Sequence, residues 1–215
     1  MSDTLRRHAL VSVLLVAVAV AASIAVYPHL PAVVATHWDM HGVANGWSSR
    51  AVAVLLLPAM MVLVGGVVTA VGTGQPAMLQ RTVATLRNVV LALMLAVHVA
   101  MLAVATSRLD HAAVPRIGAA MLALALIAVG NYMPRVTERN AFVGVRFPWA
   151  FASDEVWRRT QRAGGYGLVA VGVVGLAVAF AAGPSAAMPV LMGGLLVYVV
   201  ALAAWSYRLA RAAGR

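Results

Sequence analysis

The sequence predicts an all-α integral membrane protein with six transmembrane helices and both termini in the cytoplasm. Three observations predict it. Six apolar runs approach or exceed the roughly 20 residues that cross a bilayer core as a helix. The 215-residue chain is 63% hydrophobic and only 10% charged, with a mean hydropathy of +0.91. Its 16 basic residues are all arginines, and a six-span path sorts 13 of them to one side and 3 to the other.

The runs cover 9–27, 51–71, 83–106, 117–133, 164–182 and 187–207. Little chain remains between them, so no separate soluble domain is expected. The short alternating strands of a membrane barrel are not visible either. The first run follows Arg6 and Arg7 and could mimic a signal peptide. Its length suits retention as a span, and its removal would invert the positive loops. Arg50, Arg108 and Arg116 fall outside and the other 13 arginines inside, the positive-inside pattern. The net charge of +10 then reports topology and contact with anionic lipid, not direct nucleic-acid binding. With no cysteine, disulfides, thiolate metal sites and cysteine nucleophiles are excluded.

The chain reads as an N-terminal membrane region, 1–110, and a second region, 111–215. The first carries a histidine-rich outer loop, 28–50, broken by Pro28, Pro31, Gly42 and Gly46. Trp38 and Trp47 in that loop suit the headgroup zone. Small residues recur at four-residue spacing in Gly66, Ala70 and Gly74 and again in Gly175, Ala179 and Gly183. Such stripes let helices approach closely. The second region carries a polar inner loop, 134–163. Ser153 is placed to cap a helix, with Asp154 and Glu155 in its first turn. Val156, Trp157, Thr160 and Ala163 share one face, while Asp154, Arg158, Arg159, Gln161 and Arg162 share the other. Asp154–Arg158 and Glu155–Arg159 are expected ion pairs. The expectation is a short amphipathic helix lying on the inner membrane surface, with Trp157 toward lipid.

Two segments resemble a known family. Residues 130–165 carry Gly130, Asn131, Tyr132 and Pro134, then Asn140, Phe142, Gly144, Arg146, Pro148 and Trp149, then Ser153, Glu155, Trp157, Arg162 and Gly164. This order resembles the signature of the SdpI immunity-protein family. In the outer loop, Pro31, His37, Trp38, Gly42 and Trp47 resemble a small domain of unknown function often found at the front of the same proteins. His41 is not part of that pattern. The resemblance implies a multi-pass protein of the bacterial inner membrane that protects against a secreted peptide toxin. It also implies a signalling role, in which a transcriptional repressor is held at the membrane. The expected partners are the lipid bilayer, a secreted peptide toxin outside and a repressor inside. Asn131, Pro134, Asn140, Gly144, Arg146, Trp149, Glu155, Trp157 and Arg162 are the candidate inner-loop binding residues.

Three readings compete for His37, Asp39 and His41. Two imidazoles and a carboxylate suit a zinc ion, but the flanking Pro and Gly disfavour the helix that would align the histidines. The cluster with Trp38, Gly42 and Trp47 also suits a surface that recognises an extracellular peptide. The plainest reading is a hydrogen-bonded loop capping the first two spans, with His37 bonding free carbonyls near lipid. His98 lies within the third span, where a neutral histidine bonded to a neighbouring helix is expected. Asn131 is expected to brace the end of the fourth span. No nucleophile, zincin or phosphate-loop motif is visible, so neither an enzyme nor a cofactor is expected. A small membrane transporter or a metal-responsive membrane protein is the alternative.

Overall fold

A computed structural model describes residues 2–140 and 142–213. Among the described residues, six helices are long and apolar enough to cross a membrane. They are α1 (Asp3–Val26), α2 (Arg50–Gly72), α3 (Ala77–Ala105), α4 (Val114–Tyr132), α5 (Asp154–Ala181) and α6 (Pro184–Ala213). Each of the six expected runs coincides with one of these helices, overshooting its C-terminal end by at most one residue, and every helix starts before its run. Arg215, counted in the arginine skew, lies outside the described residues.

Each helix starts and stops for a local reason. Ser2, Ser49 and Ser153 cap α1, α2 and α5 by accepting the amides of Leu5, Val52 and Val156. Large apolar side chains such as Leu10, Val13, Leu14 and Ile24 on α1 stay exposed. In water such a surface would associate, whereas in hydrocarbon it costs nothing.

The chain divides into two compact units, 1–118 and 119–215. In the first, α1, α2 and α3 pack together through Ala19, Met61 and Leu91. Polar braces cross the same bundle. Pro58 interrupts α2 and has no N–H for the Val54 carbonyl. The Ser23 hydroxyl of α1 donates to that carbonyl at 2.9 Å. Ser23 Oγ also lies 2.8 Å from His98 Nε2 of α3, so with its own hydrogen spent it accepts there. This is the bonded, fully buried histidine expected from the sequence. Nearby, Ser12 of α1 donates to Asn88 of α3 at 2.6 Å.

The outer loop holds an element the sequence reading did not expect. Strands β1 (Val33–Trp38) and β2 (Ala44–Ser49) form an antiparallel hairpin. Its Val34 is buried with Leu30, Ala53, Val54, Met101 and Leu102 beneath it.

In the second unit α5 and α6 pack against α4 through small residues. A Cβ on Gly165 would lie 2.5 Å from the Gly130 carbonyl, so α4 and α5 touch backbone to backbone. Ala119, Ala123, Ala179, Ala187 and Leu191 form the core beyond that crossing. Gly175 and Ala179 thus pack as the stripe predicted. The first stripe behaves differently: a Cβ on Gly66 or Gly74 would meet nothing within 4 Å.

The separate interfacial helix expected at 153–163 is corrected. Those residues form the first turns of α5, which runs unbroken to Ala181. Its apolar face was read correctly, but it packs on protein, with Val156, Trp157 and Thr160 fully buried.

Candidate functional site

The inner loop is built on the start of α5. Trp157 points inward and donates through Nε1 to the Val136 carbonyl at 3.0 Å, with Phe151 against its ring. One turn later Gln161 is fully buried. Its side-chain amide accepts from Val145 N–H and donates to Val145 C=O, both at 2.8 Å. This imitates a strand pair and fixes the loop to the helix. The expectation that Gln161 faces solvent is therefore corrected. The backbone groups of Val145 demanded a partner, and an amide supplies both donor and acceptor.

Gly144 sits beside this clamp at φ +108, a conformation L side chains rarely adopt. A Cβ there would also run into the Gln161 amide. Asn140 turns the chain just before it. Its Oδ1 accepts from the amides of Phe142 and Val143 at 2.9 and 2.8 Å. Trp149 stacks on Phe147 and meets Tyr207 edge-on. Its Nε1 donates to buried Ser206 of α6 at 2.9 Å. Pro134 packs against Gly165 at the α4–α5 crossing.

Charged members of the signature lie on the outside. Glu155 pairs with Arg158 at 2.9 Å and with Arg159 at 2.6 Å. Asp154 pairs with Arg139 at 2.7 Å instead of with the expected Arg158. Arg139 also donates to the Phe151 carbonyl, so it is already held beside Asp154. Arg146 and Arg162 are exposed. Asn131 is exposed as well, and its backbone carbonyl accepts from Arg135 at 3.3 Å. The brace expected of Asn131 is supplied by Trp157, Gln161 and Trp149.

The outer hairpin uses its residues otherwise. Strand alternation puts Val34, Thr36 and Trp38 on one face and His37 on the other. His37 is therefore exposed, and its Nδ1 pairs with the Asn45 side chain across the hairpin. That corrects the expected bond to free helix carbonyls. Trp38 is the residue that ties the hairpin down, donating through Nε1 to His111 Nδ1 at 2.9 Å. His111 begins a short turn held by Asp110, which accepts the Ala112 amide.

Asp39 closes the hairpin tip. Its Oδ1 accepts from His41 N–H at 2.8 Å and Val43 N–H at 2.9 Å. The Val43 and His41 amides hold its carboxyl below the usual 3.8. Gly42, at φ +81, lies where a Cβ would come within 2.9 Å of the His111 carbonyl. The carboxylate of Asp39 is thus committed to its own turn. Among the described residues no group of three His, Asp or Glu side chains is placed to hold a metal ion. Besides the polar His37, His41 and Asn45, the hairpin leaves the apolar Val33, Met40, Val43 and Trp47 exposed, the last at 60%.

Sequence reasoning missed His111 and Gln161. His111 gave no signal beyond its place in an outer loop. Gln161 sits one turn from Trp157 at i+4, which marks the same helix face. The hairpin did carry a signal: the β-rich run 33–38 before a turn glycine.

Comparison with known proteins bears on both segments. Residues 137–206 match the model of the SdpI/YfhL protein family, and residues 14–62 match a domain of unknown function, DUF1648. Comparison with curated proteins and with solved structures found no match. The first match spans the inner loop from just after Pro134, α5 and most of α6; the second spans most of α1, the hairpin and the start of α2. The chain thus carries a segment that matches the SdpI/YfhL protein family, with a DUF1648 region ahead of it, on helices long and apolar enough to cross a membrane.

Proposed function

We propose that this chain is an immunity protein of the bacterial inner membrane that protects its cell from a secreted peptide toxin. The observation that carries the reading is the SdpI/YfhL match over 137–206, where Asn140, Gly144, Trp149, Ser153 and Trp157 each have a defined structural task. In this reading the outer hairpin is the toxin-facing surface. Its exposed Val33, Met40, Val43 and Trp47 offer an apolar, aromatic patch of the kind that anchors peptides. Both termini are cytoplasmic in this reading, supported by the arginine skew. The inner loop, with Arg146 and Arg162 exposed, faces the cytoplasm and is the surface for a repressor. The protein acts by binding, without catalysis or a cofactor.

The test is expression in a strain killed by a peptide toxin of this class. Protection by the intact chain, absent with an empty vector, supports the reading. Unchanged killing at a verified level of membrane-inserted protein overturns it for that toxin. Reporter fusions after Arg211 test the topology, since only a cytoplasmic reporter should be active there.

A further inference from the structure

Arg87 lies about three turns into α3, ten residues past its start at Ala77, and only 7% of it is exposed. An arginine is costly to place there without a partner. Its Nη1 donates to Thr69 Oγ1 at 2.7 Å and its Nε approaches Asn88 Oδ1 at 3.4 Å. Both partners are neutral. The ion pairs among the described residues all lie between 139 and 159, so none offsets this charge. Nη2 makes no hydrogen bond, yet it is not sealed from its surroundings.

Arg87 lines two cavities within the first unit. One, of about 360 Å³, opens by the α2–α3 turn among Leu5, Thr69, Thr73, Gly74 and Gln80. The other, of about 670 Å³, runs along α1 and α2 among Val13, Val16, Met61, Val62, Gly66 and Leu91. Arg87, Thr69 and Ala9 line both, so the charged group stands at their junction. A smaller cavity that carries Thr69, Thr73 and Gln80 among apolar side chains, the Arg87 cation and a larger apolar groove follow one another.

We propose that this junction binds an anionic phospholipid. Its phosphate sits on Arg87, whose Nη1 is oriented by Thr69, and one acyl chain lies in the groove over Gly66. The guanidinium fork matches phosphate oxygens, and its two Nη2 donors have no acceptor among the described residues. A basic pocket between membrane helices is suited to such a headgroup. A small anion would meet the charge but leave the apolar groove unfilled. A neutral lipid would fill the groove but leave the charge uncompensated. The first small-residue stripe gains a purpose here: Gly66 is open because the groove needs the room.

The test uses the whole protein, purified and delipidated, titrated with phosphatidylglycerol or phosphatidylcholine and read by native mass spectrometry. Wild type should retain one phosphatidylglycerol and hold phosphatidylcholine more weakly. Arg87→Gln should weaken phosphatidylglycerol binding by about tenfold, the loss of one charge-assisted bond. Gly66→Leu should weaken it comparably while leaving Arg87 in place, which keeps the test decisive if Arg87→Gln fails to fold. Gly193→Leu, on α6, fills equally open space away from the groove and should bind as wild type. Equal retention of both lipids by wild type would overturn the proposal. So would displacement by inorganic phosphate as effective as by lipid, or unchanged binding in folded Gly66→Leu.

Discussion

The inner loop and the outer hairpin both carry tryptophan, glycine and asparagine, yet they spend them differently. In the inner loop both indole N–H groups are bonded within the unit, to Val136 and Ser206. In the hairpin one indole is bonded, Trp38 to His111, and the other, Trp47, is left exposed. The glycines follow the same division. Gly144 makes room for a buried amide clamp, whereas Gly42 lets a hairpin tip rest on the next loop. A signature can therefore be dense in matched residues because it is a brace, while the surface free to meet a partner lies elsewhere.

The contrast is most severely tested at the brace. Trp157→Ala should destabilise the protein by about 3–5 kcal/mol, from the lost ring volume and the orphaned Val136 carbonyl. Thermal unfolding in detergent would show it as a large fall in Tm. A small change would mean that the inner loop is a loose connector.

Gln161 offers a finer cut. Gln161→Leu keeps the size but leaves both polar groups of Val145 unpaired, at a cost of roughly 2–4 kcal/mol. Gln161→Glu keeps the acceptor for Val145 N–H and loses the donor to its carbonyl. It should be destabilising too, as a solvent-facing position would not be. Equal stability of Gln161→Glu and wild type would return this residue to the surface.

These two residues also show what the sequence made legible. Helix number and position followed from apolar length, because a bilayer fixes that length. The apolar face of 153–163 followed from periodicity, but its destination did not. An apolar face fits lipid or protein equally well, and only the folding back of 134–151 decides between them. Asp154 was misassigned because Arg139, fifteen residues upstream, is brought beside it by that same return. His37 was misread because a strand had not been recognised, and strand alternation sends it outward.

In the hairpin the effects should be smaller. Trp38→Phe removes the bond to His111 while keeping most of the ring packing, and should cost about 1 kcal/mol. Exchange protection of the hairpin amides would report it, with α5 unaffected.

The smallest effect is the tip's response to acid. The folded state holds Asp39 below its ordinary pKa, so its contribution is present above about pH 3.8. It is lost as pH falls through the lower folded value. The amide signal of Val43 should move in that range. Asp39→Asn should abolish the transition.

The central claim is that the brace maintains the fold while the hairpin meets the toxin. The direct measurement is survival of toxin-challenged cells expressing Trp47→Ser, alongside the Tm and membrane level of the same variant. The account predicts wild-type level, a Tm close to wild type and loss of protection. Full protection by Trp47→Ser at that level would contradict it, and would move recognition away from the hairpin.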